Sequence, residues 1–315
     1  MDITEITRTL TRIRDNVSKV IVGKEAVTES VLTALLAGGH VLIEDVPGTG
    51  KTTLAAALAR SLALSFTRVQ FTPDVLPSDV TGFVSYDLKT GEKRLNPGAV
   101  MSNLLLADEI NRTSPKTQSS LLEVMAEGSV TLDGETMAVP QPFMVLATQN
   151  PVEQVGTYPL PEAQLDRFMM KISMGYPTHE QEIDLLVRNR GARPLDALEP
   201  VATAEDILAA REAAAAVTCA PPVLDYIVTI AEETRRDEKL ELGVSPRGSL
   251  ALMNAAMARA LLKGRDYVLP DDVQALAPCV LAHRLTLNAR SSLGSDTAAG
   301  LLKQILRSVR VPAAT

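Results

Sequence analysis

The segment DVPGTGKTT, residues 45–53, constrains this chain more than any other part of its sequence. It stands between an apolar run, HVLIE, and a helix-favouring stretch, LAAALARSLAL. A glycine-rich turn between strand and helix directs backbone N–H groups at an anion, where the helix dipole is positive. Lys51 can reach the β- and γ-phosphates of a nucleotide, and the Thr52 hydroxyl can bind Mg²⁺. The predicted phosphate-binding loop consists of Pro47, Gly48, Thr49, Gly50, Lys51, Thr52 and Thr53.

Position 45 departs from the strict phosphate-loop pattern, GxxxxGK[ST], which has glycine where this chain has Asp45. Gly48 and Gly50 remain, so the backbone can still form the loop. The sequence leaves open how Asp45 affects the affinity for a nucleotide.

Short apolar runs alternate with helical patterns between residues 40 and 175. The runs are His40–Ile43, Thr67–Phe71, Leu104–Ala107, Met144–Ala147 and Phe168–Ile172, and the helical patterns are Thr52–Leu64 and Pro115–Glu127. Strands separated by helices indicate an α/β fold, with a parallel sheet covered by helices on both faces. Ligands of such sheets bind beyond the carboxyl ends of the strands.

Two carboxylates end the third of these runs, in LLLADE at residues 104–109. A buried strand that ends in acids brings them beside the phosphate loop. We expect Asp108 to hold Mg²⁺ together with Thr52. We expect Glu109 to orient or deprotonate the attacking water, a contribution of about 10²–10⁴-fold to the rate.

Ser129–Val139 alternates around Asp133-Gly134, which predicts a β-hairpin with a type I′ turn. The region 176–204 is rich in proline and glycine and predicts a connector. The helical patterns beyond it begin at Ala204, Pro221, Pro246, Pro270 and Thr297. We therefore expect a nucleotide-binding domain at residues 1–176, a linker at 177–203 and a helical domain at 204–315. An apolar stripe of six residues predicts an N-terminal helix that packs on its own domain or, alternatively, forms a coiled coil with a partner: Ile3, Ile6, Leu10, Ile13, Val17 and Val20.

Composition excludes several classes of protein. With 46% hydrophobic residues, the chain of 315 residues is neither disordered nor fibrous, and a net charge of −7 provides no general field for nucleic acid or anionic lipid. Cys219 and Cys279 have no metal-binding or redox spacing, which fits a reducing compartment. No apolar run is long enough to span a bilayer, and no signal peptide is evident. We expect a cytoplasmic protein without membrane insertion.

The combination of PGTGKT and LLLADEINR resembles the AAA+ ATPases, and longer stretches of the sequence resemble the MoxR family within them. The matching stretches include QFTPDVLPSDVTG, FMVLATQNPVEQVGTYPLPEAQLDRF and GVSPRG, and they cover nearly the whole chain. This resemblance implies a sheet of strand order 5-1-4-3-2, an all-α lid domain and a ring of copies of the chain, usually a hexamer. The hairpin after residue 128 resembles the insertion in helix 2 that MoxR proteins share with magnesium chelatase subunits and MCM helicases. MoxR-like sequences often carry EDVPG, as this chain does.

The resemblance also assigns roles to individual residues. Asn150 matches sensor 1, which holds the lytic water or the γ-phosphate, and Arg247 matches sensor 2 on the lid. Arg167 matches an arginine finger that reaches the nucleotide of a neighbouring subunit, with an ion pair to Asp166 or Glu162 as the alternative. Val22 and Gly23 match the turn that contacts the adenine.

The resemblance implies a Mg²⁺-dependent ATPase that remodels or activates client proteins, including metal-cofactor enzymes, often with a von Willebrand factor A domain protein. One alternative is a nucleic-acid motor, because helicases carry the helix-2 hairpin too. The acidic balance and the lack of a DNA-binding module argue against it, and we expect no nucleic-acid partner. A second alternative is a scaffold protein that binds ATP with little turnover.

Overall fold

The computed structural model describes residues 2–151, 156–188, 194–292, 294 and 296–312. Its strands are β1 (Val41–Glu44), β2 (Phe66–Gln70), β3 (Gly82–Tyr86), β4 (Lys93–Pro97), β5 (Leu104–Asp108), β6 (Ser129–Leu132), β7 (Glu135–Ala138), β8 (Met144–Gln149), β9 (Met170–Ile172), β10 (Leu240–Leu242) and β11 (Thr286–Leu287). Its helices are α1 (Ile3–Ser18), α2 (Glu25–Leu36), α3 (Lys51–Ser61), α4 (Pro77–Thr81), α5 (Pro115–Glu127), α6 (Glu162–Leu165), α7 (His179–Arg188), α8 (Ala204–Ala215), α9 (Pro221–Arg236), α10 (Pro246–Leu262), α11 (Pro270–Leu281), α12 (Ala289–Ser292) and α13 (Ala298–Ser308).

The central sheet contains five parallel strands in the order β2-β5-β8-β1-β9. When these five are numbered along the chain, the order is 5-1-4-3-2, which confirms the prediction. The predicted strands are present with shifts of one or two residues at their ends. Because β1, β5 and β8 are buried on both faces, their sequences are continuous apolar runs rather than alternating ones.

Successive residues of a sheet strand belong to two different hydrophobic cores. In β5, Leu104 and Leu106 lie in a cluster with α1, α2 and α3, whereas Leu105 and Ala107 lie in a cluster with α5. Helices therefore cover both faces of the sheet, as predicted.

The C-terminal half is built mainly from helices α8 to α11 and α13, which confirms the prediction of a helical lid. Pro221, Pro246 and Pro270 each occupy the first position of a helix, where a missing N–H costs nothing. The same cluster that covers one face of the sheet continues into α8, α10 and α11. The predicted linker, residues 177–203, contains helix α7, which the sequence analysis did not anticipate; the domain boundaries remain a prediction.

Helix α1 packs on its own chain. Ile6, Leu10, Ile13 and Val17 are buried in the cluster that joins the sheet to the lid helices. This contact corresponds to the first of the two alternatives for the N-terminal stripe. In the described part of the chain, no helix combines the length and apolar character that crossing a bilayer requires.

The described residues form two β-hairpins outside the central sheet, and these hairpins correct one prediction. The hairpin β6–β7 turns at Asp133-Gly134, whose φ angles of 51° and 80° fit the predicted type I′ turn. However, it follows α5, the helix after the third sheet strand. The hairpin β3–β4 directly follows α4, the helix after the second sheet strand. The helix-2 insertion is therefore β3–β4 and not the hairpin after residue 128.

Candidate functional site

The phosphate loop connects β1 to α3 at the carboxyl edge of the sheet. Gly48 and Gly50 have φ angles of 85° and 91°, which favour glycine, and Lys51 is the first residue of α3. The Lys51 ammonium donates hydrogen bonds to the carbonyls of Asp45 (3.0 Å) and Val46 (2.7 Å). A cation and the N-terminus of a helix are thus combined at the site where an anion is expected.

Asp45 anchors this loop to the segment that follows β9. Its carboxylate is buried and accepts hydrogen bonds from the backbone N–H groups of Val46 (2.8 Å), Met174 (2.7 Å) and Gly175 (2.6 Å). Glycine has no side chain that could make these contacts. The departure from the strict loop pattern therefore has a structural role.

The acid pair lies at the end of β5, beside the loop. The Asp108 carboxylate is largely buried and accepts from the Thr148 hydroxyl (2.6 Å) and from the Arg68 guanidinium (2.7 Å). The Glu109 backbone is left-handed, with φ of 57°, and its N–H donates to the Thr148 hydroxyl (2.9 Å). Thr148, on the neighbouring strand β8, thus fixes both acids.

The Glu109 side chain points to two polar partners. Gln70 on β2 donates to its carboxylate at 2.7 Å, and the Arg112 guanidinium forms an ion pair with it at 3.2 Å. Arg112 is therefore a local partner of Glu109 within the same chain.

A cavity of about 400 Å³ lies between the phosphate loop and the acid pair. It is lined by Asp45, Pro47, Gly48, Gly50, Lys51, Thr52, Thr53, Arg68, Gln70, Asp108, Glu109, Thr148, Gln149 and Asn150. Most of the predicted loop, both acids and Asn150 therefore meet in one space. Thr49 belongs to the loop but is not among the residues that line the cavity.

The donors of this cavity fit Mg²⁺. Thr52 and Asp108 provide a hydroxyl and a carboxylate oxygen in the same cavity. Mg²⁺ prefers oxygen ligands and is usually held by one or two carboxylates together with substrate phosphates. Thr52 and Asp108 would thus hold the ion beside a bound triphosphate.

Two predicted arginines do not line the cavity. Arg167 follows α6 and donates to the carbonyl of Leu122 on α5 at 2.7 Å. Arg247 is exposed in the first turn of α10. The cap of that helix, Ser245, contacts Asp166 at 3.4 Å, so the start of α10 lies near the segment that carries Arg167.

The predicted adenine turn, Val22-Gly23, precedes α2 and is also absent from the cavity lining. Gly23 has φ of 67°, and its carbonyl accepts from the Gln181 amide of α7 at 3.5 Å. The structure thus places helix α7 against this turn.

Arg68, Gln70 and Thr148 are parts of the site that the sequence did not predict. Arg68 and Gln70 alternate along β2 and therefore point to the same side of the strand. In the sheet, Gln70 pairs with Asp108 in the neighbouring strand. Two long polar side chains at alternate positions of β2 were the available signal, but their acidic partners depend on which strand lies next to β2.

The chain is similar to known proteins both in its sheet region and in its lid region. The family described as "ATPase family associated with various cellular activities (AAA)" matches residues 40–170, and the AAA lid domain matches residues 232–302. The protein YeaC of Bacillus subtilis, named as uncharacterized, is 52% identical over 95% of this chain and 93% of its own length. Chaperone MoxR1 of Mycobacterium tuberculosis is 42% identical over 96% of this chain and 82% of its own length.

A crystal structure of a Cytophaga hutchinsonii protein, described there as a candidate ATPase, has a TM-score of 0.91 and 37% identity. It covers 99% of this chain, and 97% of that protein is covered. The likeness therefore includes both the sheet and the lid. With its phosphate loop and acid pair in one cavity and a chaperone of the MoxR type among its relatives, the chain belongs to the MoxR family of AAA+ ATPases and is an ATP-hydrolysing enzyme.

Proposed function

We propose that this ATPase depends on Mg²⁺, acts between neighbouring copies of the chain and remodels or activates client proteins. The observation that carries the proposal is the single cavity in which the phosphate loop faces Asp108 and Glu109. Its lining brings the Lys51 ammonium, main-chain donors, the Asp108–Glu109 pair and the Asn150 amide together, as cleavage of a bound triphosphate requires.

Each group has a distinct role in the proposed reaction. Backbone N–H groups of residues 48–53 and the Lys51 ammonium bind the phosphates. Thr52 and Asp108 hold Mg²⁺, which, when bound, neutralises charge on the β- and γ-phosphates. The Glu109 carboxylate accepts a proton from the attacking water, and the Asn150 amide orients that water or the γ-phosphate.

Arg167 supports the proposal that a neighbouring copy completes the site. Its guanidinium is held at the Leu122 carbonyl, outside the cavity of its own chain. A guanidinium presented by the next copy would stabilise the charge of the transition state, an effect worth about 10³–10⁵ in rate. Arg247 also lies outside this cavity, and we propose that motion of helix α10 brings it to the γ-phosphate of its own chain, as the family resemblance implies.

The proposed work on clients follows from the relative that is named a chaperone. A hexameric ring, metal-cofactor enzymes as clients, a von Willebrand factor A domain partner and a cytoplasmic location are parts of the same proposal.

The two hairpins are the surface that we propose for client contact. The Tyr86 hydroxyl donates to Asp133 (2.7 Å) and Lys93 donates to Glu135 (2.8 Å), so β3–β4 and β6–β7 are held together. Phe83 on the first hairpin is half exposed, which makes an apolar surface available beside the second.

The test is a mixing experiment with two inactive variants. Glu109→Gln should bind ATP but turn over at least ~10²-fold more slowly. Arg167→Ala should bind ATP and lose about 10³-fold or more in rate. Mixed together, they should recover activity, because some interfaces combine an intact Glu109 with an intact Arg167 from the other variant.

Phosphate release at equal total concentration is the measurement, and Arg236→Ala, at an exposed position of helix α9, is the control for a lost arginine. Lack of recovery, with co-assembly verified by co-purification of differently tagged variants, would refute action between copies. Normal turnover of Glu109→Gln would remove Glu109 from the proposed mechanism.

A further inference from the structure

The Arg68 guanidinium binds Asp108, the carboxylate that the proposed function assigns to Mg²⁺. Its guanidinium donates two hydrogen bonds to one oxygen of Asp108, Oδ2, from Nη2 at 2.7 Å and from Nε at 3.2 Å. The other oxygen, Oδ1, accepts from the hydroxyl of Thr148, which is buried. Both carboxylate oxygens therefore have protein partners. The partner of Oδ1 is the buried Thr148, whereas the partner of Oδ2 is the half-exposed Arg68 side chain.

Arg68 is also positioned by its neighbour on the same strand. Nη2 donates to the Gln70 amide oxygen at 3.1 Å, while the Gln70 amide nitrogen donates to Glu109 at 2.7 Å. A continuous chain of contacts thus runs from Asp108 through Arg68 and Gln70 to Glu109. This arrangement is more specific than a solvent-exposed ion pair in which two long side chains meet by chance.

A divalent cation at Oδ2 of Asp108 and the guanidinium in its present position exclude each other. Mg²⁺ or its bound water needs the free electron pairs of Oδ2, which the two N–H groups now take. The cation is also repelled by a positive charge at hydrogen-bond distance from its ligand. Because the Arg68 side chain is 48% exposed, it can swing into solvent at little cost.

We propose that Arg68 is a built-in competitor of the divalent cation for Asp108, so that Mg²⁺ binds firmly only when nucleotide phosphates supply further ligands. The inference rests on the proposed function for the identity of the ligand, but the competition itself concerns residues of this chain. Arg68 is in this view a positioning residue, which acts through Asp108 and does not touch the reacting atoms. It sets the Mg²⁺ concentration at which the site fills.

The experiment compares Arg68→Gln and Arg68→Lys with the wild-type full-length chain. Arg236→Gln is the matched control, because it removes the same charge from an exposed ion pair on α9. One measurement is Mn²⁺ binding without nucleotide, followed by electron paramagnetic resonance. The other is the Mg²⁺ concentration that half-saturates binding of a nonhydrolysable ATP analogue.

Arg68→Gln should bind Mn²⁺ more tightly and should lower the half-saturating Mg²⁺ concentration, by about two- to fivefold in each case, the range expected from the strength of such an ion pair. Arg68→Lys retains the positive charge and should stay closer to the wild type than Arg68→Gln. Arg236→Gln should leave both values unchanged.

Equal Mn²⁺ affinity of Arg68→Gln and the wild type would overturn the inference. A several-fold loss of metal-free nucleotide affinity in Arg68→Gln would overturn it as well, since Arg68 would then be a phosphate ligand. If the wild type bound no nucleotide, the proposed function would fail, and the Mn²⁺ comparison would still decide the role of Arg68. Circular dichroism verifies that each variant is folded.

Discussion

Asp45 illustrates how one residue can connect two parts of the site. Its carboxylate binds the loop at Val46 and the segment after β9 at Met174 and Gly175. An ionised carboxylate accepts hydrogen bonds with both oxygens, so all three N–H groups are satisfied. The position of the phosphate loop therefore depends on the last strand of the sheet.

Replacing Asp45 by asparagine should destabilise the protein and weaken ATP binding. The amide group keeps one acceptor oxygen but turns N–H atoms toward a backbone donor, which is then buried without a partner. We expect a loss of about 1–3 kcal/mol in the free energy of unfolding. Urea denaturation and titration with a fluorescent ATP analogue are the measurements.

Asp87→Asn is the matched control for this substitution. The Asp87 carboxylate also accepts hydrogen bonds from two backbone N–H groups, those of Lys89 (2.7 Å) and Thr90 (3.0 Å). However, Asp87 lies in an exposed turn, where water can replace the carboxylate as the acceptor. An equal effect of the two substitutions would show that the burial of Asp45 is unimportant.

At the scale of elements, an ionic network fastens lid helix α10 to α2. Glu29 of α2 accepts from Arg259 and from Lys263 (2.8 Å), both near the end of α10. Glu29 and Arg259 are 20% and 25% exposed, so solvent screens this network only partly.

Glu29→Gln should therefore lower the free energy of unfolding by about 1–2 kcal/mol, because two cations lose their shared counter-charge in a partly desolvated place. The control is Glu232→Gln, which breaks an exposed pair with Arg236 within α9 and should cost less than about 0.5 kcal/mol. Chemical denaturation of both variants is the check. Identical midpoints would mean that the network contributes nothing to the attachment of the lid.

The elements differ in how well the sequence predicts them. Strands such as β5 and helices such as α9 were predictable, because buried runs and proline-initiated helices have strong local patterns. The hairpin β3–β4 was missed because nearly all of its residues are exposed or only partly buried, so no buried face imposes a clear alternation. To predict that Arg68 and Gln70 belong to the site, the strand order is needed as well as the sequence. Strand order depends on contacts between distant segments.

Across the whole molecule, two buried histidines make stability depend on pH. Burial lowers the pKa of His40 from 6.5 to about 4 and that of His283 to about 3. The neutral His40 ring accepts from the N–H of Val145 (3.0 Å) and contacts the carbonyl of Met125 (3.0 Å), and this pair of partners requires the proton on Nε2. Protonation would convert the acceptor nitrogen into a donor that faces another donor.

The free energy of unfolding should therefore fall as the pH is lowered from about 6.5 to about 4. In this range the unfolded chain binds protons that the folded His40 does not, so acid favours unfolding. The difference between the pKa of His40 in the unfolded chain, 6.5, and in the folded chain, about 4, corresponds to about 3 kcal/mol by pH 4. His40→Asn should reduce the slope of stability against pH, whereas His179→Asn, at an exposed position, should leave it unchanged. Equal slopes for all three proteins would contradict this assignment.

The alternation of side chains between the two cores has a consequence for how such chains can diverge. If one codon were deleted from the stretch that encodes β5, every later side chain of that strand would move to the opposite face. Leu105 and Leu106 would exchange cores, and the carboxylate now at position 108 would turn away from the phosphate loop. Evolutionary insertions and deletions should therefore be confined to exposed turns such as residues 87–92, while the sheet strands keep a constant length.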